Sequence, residues 1–211
     1  MVLLEECGGG PEIIGHYEPV YPTDDDLSNE QISSNSGFRI PLRSSSATFP
    51  TQDLTGLPPC HDINGAPIYI GSAIFRKSVH PCKIGPHLPV PCSVPFGGRE
   101  KVHTSRYDLL PFNPDTMTFV RTSHGRLPAG KRLVKGGYEE DGTPLYHGMA
   151  MHEGIRVPGK ISHRLAGCNI TWGDMECVYS YYEILCVQAI PSFSLNIVYI
   201  TIQVPERLAE V

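Results

Sequence analysis

Asp62 precedes Lys83 by 21 residues, and Glu139 precedes Lys160 by the same 21. A carboxylate accepts hydrogen bonds from two neighbouring hydroxyls while an ammonium donates to their lone pairs, so a repeated acid–lysine couple has the chemistry of a polyol site. Charge-assisted bonds of this kind contribute about 1.5–3 kcal/mol each. The competing reading is a surface ion pair worth about 0–1 kcal/mol. Either reading puts the lysine at the surface, so Lys160→Ala is expected to leave the fold intact.

The two couples recur because the chain repeats itself. Sliding 64–84 onto 141–161 by 77 positions superposes Gly65 on Gly142, Pro67 on Pro144, Tyr69 on Tyr146, Gly71 on Gly148, Ala73 on Ala150, Pro81 on Pro158 and Lys83 on Lys160. With small gaps the match continues through Cys92 and Cys168, Phe96-Gly97 and Trp172-Gly173, Glu100 and Glu176, then Tyr107-Asp-Leu-Leu and Tyr182-Glu-Ile-Leu. A fixed internal period is the first thing a fold must respect, and two copies point to a pseudo-twofold unit rather than a solenoid. The expected layout is an acidic, flexible 1–37, a first repeat over 38–112, a second over 113–188 forming one β domain with the first, and a C-terminal extra strand and tail over 189–211.

Within each repeat, Asn64-Gly65 and Asp141-Gly142 are turn signatures. They lead into expected strands at 66–75 and 143–152, then 90–96 and 169–172, then 107–110 and 181–187. No stretch sustains a 3.6-residue apolar period, and the fold is expected to be all-β, two tandem repeats of antiparallel strands related by a pseudo-twofold. Glycine (21) and proline (20) make up close to a fifth of the 211 residues, which suits strands and turns better than helix interiors.

Other chemistries fit less well. The segment 154–160 spells most of a phosphate loop, but Ile161 stands where Ser or Thr is needed, and no helix follows. The nine histidines and seven cysteines show no close paired-ligand spacing, so no metal or other cofactor is expected. A Cys–His nucleophile would be distant in sequence; it predicts inactivation by thiol alkylation, but the expected protein is not an enzyme. A net charge of −5 gives no footprint for nucleic acid. The amino terminus lacks the pattern of a secretion signal, no apolar run is long enough for a transmembrane segment, and an odd number of cysteines without CxxC suits a reducing compartment. The expected location is cytoplasmic.

Residues 62–110 and 139–185 together resemble the DM-nine repeat family, whose pattern runs D-x-D-G-x-P-L-Y-V-G-R-A-x-H-x-G, P-G-K, Y-V-P-Y-G-G-x-E and Y-E-V-L. The second repeat matches through Asp141-Gly142, Pro144-Leu-Tyr146, Gly148, Ala150, His152, Gly154, Pro158-Gly-Lys160, Trp172-Gly173, Glu176 and Tyr182-Glu-Ile-Leu185. The first departs from it at Ser72, Phe75 and Cys82, and the second at Met149 and at Glu139, which is one methylene longer than the pattern's Asp. The resemblance implies exchange of strands between the halves, and a mannose-binding lectin acting in innate recognition, with mannose-containing glycans as partners; other members are cytosolic and move to vesicles. It implies sugar contacts from Asp62, Lys83, Glu139 and Lys160. Weak single-sugar affinity would make both sites, or a homodimer, the source of avidity. The alternative function is an intracellular interaction or vesicle-trafficking scaffold without sugar binding.

Overall fold

The computed structural model describes residues 38–45 and 48–188. The expected N-terminal segment 1–37 and the strand and tail over 189–211 lie outside the described residues.

Each repeat folds into the same six principal strands. The first contributes β1 (Ile40–Arg43), β2 (Cys60–His61), β3 (Pro67–Ile74), β4 (Val79–Ile84), β5 (Cys92–Phe96), β6 (Arg99–Val102) and β7 (Arg106–Leu110). The second contributes β8 (Met117–Ser123), β9 (Arg132–Leu133), β10 (Lys135–Tyr138), β11 (Pro144–His152), β12 (Ile155–Ile161), β13 (Cys168–Trp172), β14 (Met175–Tyr179) and β15 (Tyr181–Val187). Among the described residues a single helical turn, Gln52–Thr55, is the exception to an all-β fold.

The strand order β1-β7-β3-β4-β5-β6-β14-β13-β12-β11-β15-β8 reads as a palindrome of the two repeats. Its centre is the junction of β6 with β14, where Arg99 faces Met175. Backbone bonds from Glu100 N–H to the Asp174 carbonyl (3.0 Å) and from Glu176 N–H to the Gly98 carbonyl (3.2 Å) dovetail the two hairpins there. Apart from this junction, pairing stays within each repeat, except that β10 pairs with β11 and also crosses to β4 through Tyr138 opposite Val79. That crossing closes the sheet on itself.

Several of these strands were not expected, among them β4 and β12. These two carry Pro81 and Pro158, which read locally as breakers. Pro81 lies opposite Ser72 on β3 and Pro158 opposite Met149 on β11, while the other edges pair with β5 and β13 only at Lys83-Ile84 and Gly159-Lys160. A proline on a stretch of edge with no ladder loses no hydrogen bond. The repeated Gly71 and Gly148 are explained by contact: a Cβ at Gly71 would lie 2.6 Å from the Asp108 carbonyl oxygen, and one at Gly148 would lie 2.4 Å from Ile161 Cδ1.

Each half has its own core, around Tyr69, Ile84, Val94 and Leu109 in the first and Ile161, Ile170, Tyr182 and Ile184 in the second. A third cluster joins the halves, packing Ile68, Ile70 and Leu110 against Val134, Met149 and Leu185. The seam also holds a buried polar knot, in which Arg39 donates to Ser72 Oγ (3.0 Å), His147 Nε2 (3.1 Å) and the Lys135 carbonyl (2.7 Å). Ser72 and Met149, the two residues that replace the arginine of the family pattern, are both buried.

Candidate functional site

Lys160 stands on β12 directly opposite Asn169 on β13, so the pleat sends both side chains to the same face. Glu176, on the neighbouring β14, accepts from Asn169 Nδ2 at 2.7 Å through one oxygen and from the Gly98 N–H of the other repeat at 2.7 Å through the second. The Lys160 ammonium lies 3.8 Å from Glu176 and 3.8 Å from Glu139. Glu139 is placed by the Asp141-Gly142 turn, in which Glu139 N–H reaches the Thr143 carbonyl at 2.9 Å and Gly142 N–H returns to the Glu139 carbonyl at 2.9 Å.

The first repeat supplies the rest of this site. His80 on β4 puts Nε2 at 3.7 Å from Glu139 and 3.0 Å from Ser78 Oγ. The Phe96 ring at the end of β5 lies 5.5 Å from the Lys160 ammonium. Burial, and then the positive charges of Lys160, Lys101 and His103, push His80 down to about 3, so its imidazole is neutral. Two buried atoms in this group have no hydrogen-bond partner, Asn169 Oδ1 and His80 Nδ1.

Lys160 is therefore no surface lysine. Its side chain is 6% exposed, which corrects the expectation that Lys160→Ala is structurally neutral. The reason is that β12, where no strand was expected, is an inner strand with β11 on one side and β13 on the other.

The first-repeat site is similar in plan and different in detail. Lys83 on β4 lies opposite Ser93 on β5 and pairs with Glu100 at 3.3 Å. Asp62 sits in its turn with Gly65 N–H on its carbonyl at 2.9 Å. Its carboxylate goes to His87 rather than to Lys83, accepting from His87 Nε2 at 2.9 Å and from the Ile63 N–H at 2.9 Å. Burial works to raise the Asp62 pKa, but the bonds from His87 and Ile63, with the charges of His87 and Lys83, hold it below the usual carboxylate value. Glu139 thus meets Lys160 directly, whereas the Asp62 carboxylate is held by His87, a histidine that spacing did not mark.

Glu100 and Glu176 are the site residues that the acid–lysine spacing missed, although their register in the repeat was the available signal. Among the described residues no three His, Cys, Asp or Glu side chains converge to hold a metal ion. The six described cysteines are free thiols, and burial pushes Cys60 up to about 12 and raises Cys92 and Cys168, the direction that suppresses a nucleophilic thiolate. Two open grooves, of about 770 Å³ beside Lys131 and Gln188 and about 400 Å³ beside Arg156 and Tyr181, include neither site lysine. No described helix is long and apolar enough to cross a membrane.

Two copies of one β unit, each carrying a lysine–glutamate centre, define a duplicated all-β repeat protein. The chain belongs to the DM9 repeat family, whose profile matches residues 62–179, more than half its length. A sequence search of curated proteins returns no match. Among solved structures the fold is similar to that of the nematode sperm cell motility protein MFP2B, with a TM-score of 0.54 at 14% identity over 74% of this chain and 47% of that one. The chain therefore spans about half the length of that protein, and at this identity the likeness concerns the fold.

Proposed function

We propose that this protein binds carbohydrate without catalysing a reaction, taking mannose-type hexoses at Lys160 with Glu139, and at Lys83 with Asp62. The observation that carries this reading is the Lys160 centre. An ammonium and two carboxylates, held rigid by a strand ladder, are joined by a buried amide whose oxygen lacks a partner, beside an aromatic ring. Vicinal hydroxyls need converging donors and acceptors of this kind, and a pyranose also offers an apolar face to a ring. Glu176 and Glu100 orient the lysines, and Phe96 forms the apolar wall.

Mannose-containing glycans are the proposed partners, with recognition or innate defence as the role. Single-sugar affinity is weak, around millimolar in order of magnitude, so avidity comes from both sites or from a homodimer on a multivalent glycan. The proposed location is cytoplasmic, which the free thiols of the described cysteines suit as a reducing compartment, with vesicle association taken from the family resemblance alone.

The test is calorimetric titration with mannose and with a mannan, comparing the parent with Glu139→Gln plus Lys83→Ala. These substitutions avoid the most buried charge. The parent is expected to bind and the double variant to lose at least tenfold in affinity, a loss of about 1.4 kcal/mol. Equal binding by both proteins would overturn the site, and no binding by the parent would leave the scaffold function in its place.

A further inference from the structure

The Phe96 ring does not stand alone. It lies nearly parallel to Phe75, with centroids 5.8 Å apart and planes 18° from each other. His80 meets both rings edge-on, at 5.3 Å from Phe75 and 5.1 Å from Phe96, and His103 packs on Phe75 at 4.7 Å. The two histidines are buried, so the ring pair is backed by a fixed wall. The Lys101 ammonium sits 4.9 Å from the Phe75 centroid and 5.0 Å from the Phe96 centroid, and Lys101 is itself exposed. Phe96 remains 38% exposed.

Resting on the carbohydrate reading above, we infer that the Phe96–Phe75 pair with Lys101 is a second sugar subsite continuous with the Lys160 centre, which makes the ligand an oligosaccharide of at least two pyranose rings. The order in space is Lys160, Phe96, Phe75: one cation lies 5.5 Å from the first ring and a second lies above both. A pyranose bound by its hydroxyls at Lys160 has a neighbouring ring along the chain. That ring meets a rigid aromatic surface whose negative faces attract polarised C–H bonds. Lys101 is an exposed residue whose ammonium has donors for the hydroxyls of the second sugar. The rings need no rearrangement, because His80 and His103 already hold them, and such preorganisation favours affinity.

The other repeat does not copy the device. At the corresponding positions it carries His152 for Phe75, Trp172 for Phe96 and Cys177 for Lys101. There His152 packs on Trp172 at 4.4 Å and hydrogen-bonds the Tyr179 hydroxyl. A thiol replaces the cation, so the subsite belongs to one half of the molecule.

The experiment is titration of the full chain with mannose and with a panel of differently linked mannobioses, for the parent, Phe75→Leu and Lys101→Ala. Urea midpoints are measured alongside. In the parent, at least one mannobiose is expected to bind about fivefold to tenfold more tightly than mannose. Both variants should keep the affinity for mannose and lose most of that gain. If mannose binds and no mannobiose binds more tightly, the second subsite is overturned while the carbohydrate reading stands. If a gain persists in both folded variants, the second ring lies elsewhere and the inference is likewise overturned. If neither mannose nor any mannobiose binds, both readings fall together.

Discussion

Replacing Lys160 by alanine should destabilise the protein markedly, although a lysine is normally among the cheapest residues to remove. The ammonium sits 3.8 Å from each of two carboxylates. At an effective dielectric near 20, each contact is worth roughly 4 kcal/mol before desolvation is counted. Removing the cation leaves Glu176, whose side chain is 9% exposed, without its counter-charge. Breaking a buried pair in this way typically costs about 3–5 kcal/mol. Two features reduce the figure: Glu176 keeps the bonds from Asn169 and Gly98, and the Glu139 side chain is 35% exposed to water. The expected loss is therefore about 2–3 kcal/mol. For a chain of this size that is a fall in melting temperature of roughly 5–10 °C. Lys83→Ala should cost about half as much, because Lys83 has one carboxylate partner and its side chain is 15% exposed. Urea unfolding gives the comparison directly, and Lys160→Met with Glu176→Gln should recover part of the loss by removing the stranded charge. A Lys160→Ala loss below about 1 kcal/mol, or one no larger than that of Lys83→Ala, would refute the buried-centre reasoning.

Stability should fall on acidification through neutral histidines in the interior. His80 is depressed to about 3 by burial and then by neighbouring positive charges, and His147 is pushed well below its usual value by burial and then by Arg39. Because the folded values lie below the unfolded ones, the unfolded chain binds more protons as pH drops below about 6.5, and stability is lost between there and about pH 3. His80→Val, which installs the residue of the other repeat, should flatten part of that loss in urea titrations at successive pH values; an unchanged slope would show that His80 does not carry it. Gly137→Ala tests the closure of the sheet. Gly137 has φ of 149°, and a Cβ there would lie 1.9 Å from the Val79 carbonyl oxygen, so a loss of about 3 kcal/mol or more is expected in thermal unfolding. A neutral result would mean that β10 does not lie against β4.

The repeat made much of the fold legible. Strands β3, β11, β5, β13, β7 and β15 fall within a residue or two of where alternation and turns put them. β4 and β12 were hidden because a proline in a strand is tolerated or not according to which edge is paired, and that is a property of the neighbours. β6 and β14 were hidden by their polarity: Arg99-Glu100-Lys101 carries no buried stripe. The same limit applies to the site. The lysines and turn acids were visible at their 21-residue spacing, but His80 and Phe96 meet Lys160 from the other repeat, and His87 reaches Asp62 across 25 residues.

By itself the sequence determined that the chain is a duplicated β unit, because repeated glycines, turns and alternating strands impose the same local geometry wherever they recur. It also showed that each copy carries a lysine 21 residues after a turn acid. Only the tertiary structure decided that Lys160 is buried between two glutamates, that Asp62 is held by His87, and that the two stacked phenylalanine rings of the first half lie beside the second half's Lys160. Spacing along a chain fixes which residues share a face of one hairpin. Burial and charge pairing depend on what the other half places against that face, and those partners lie far away in sequence.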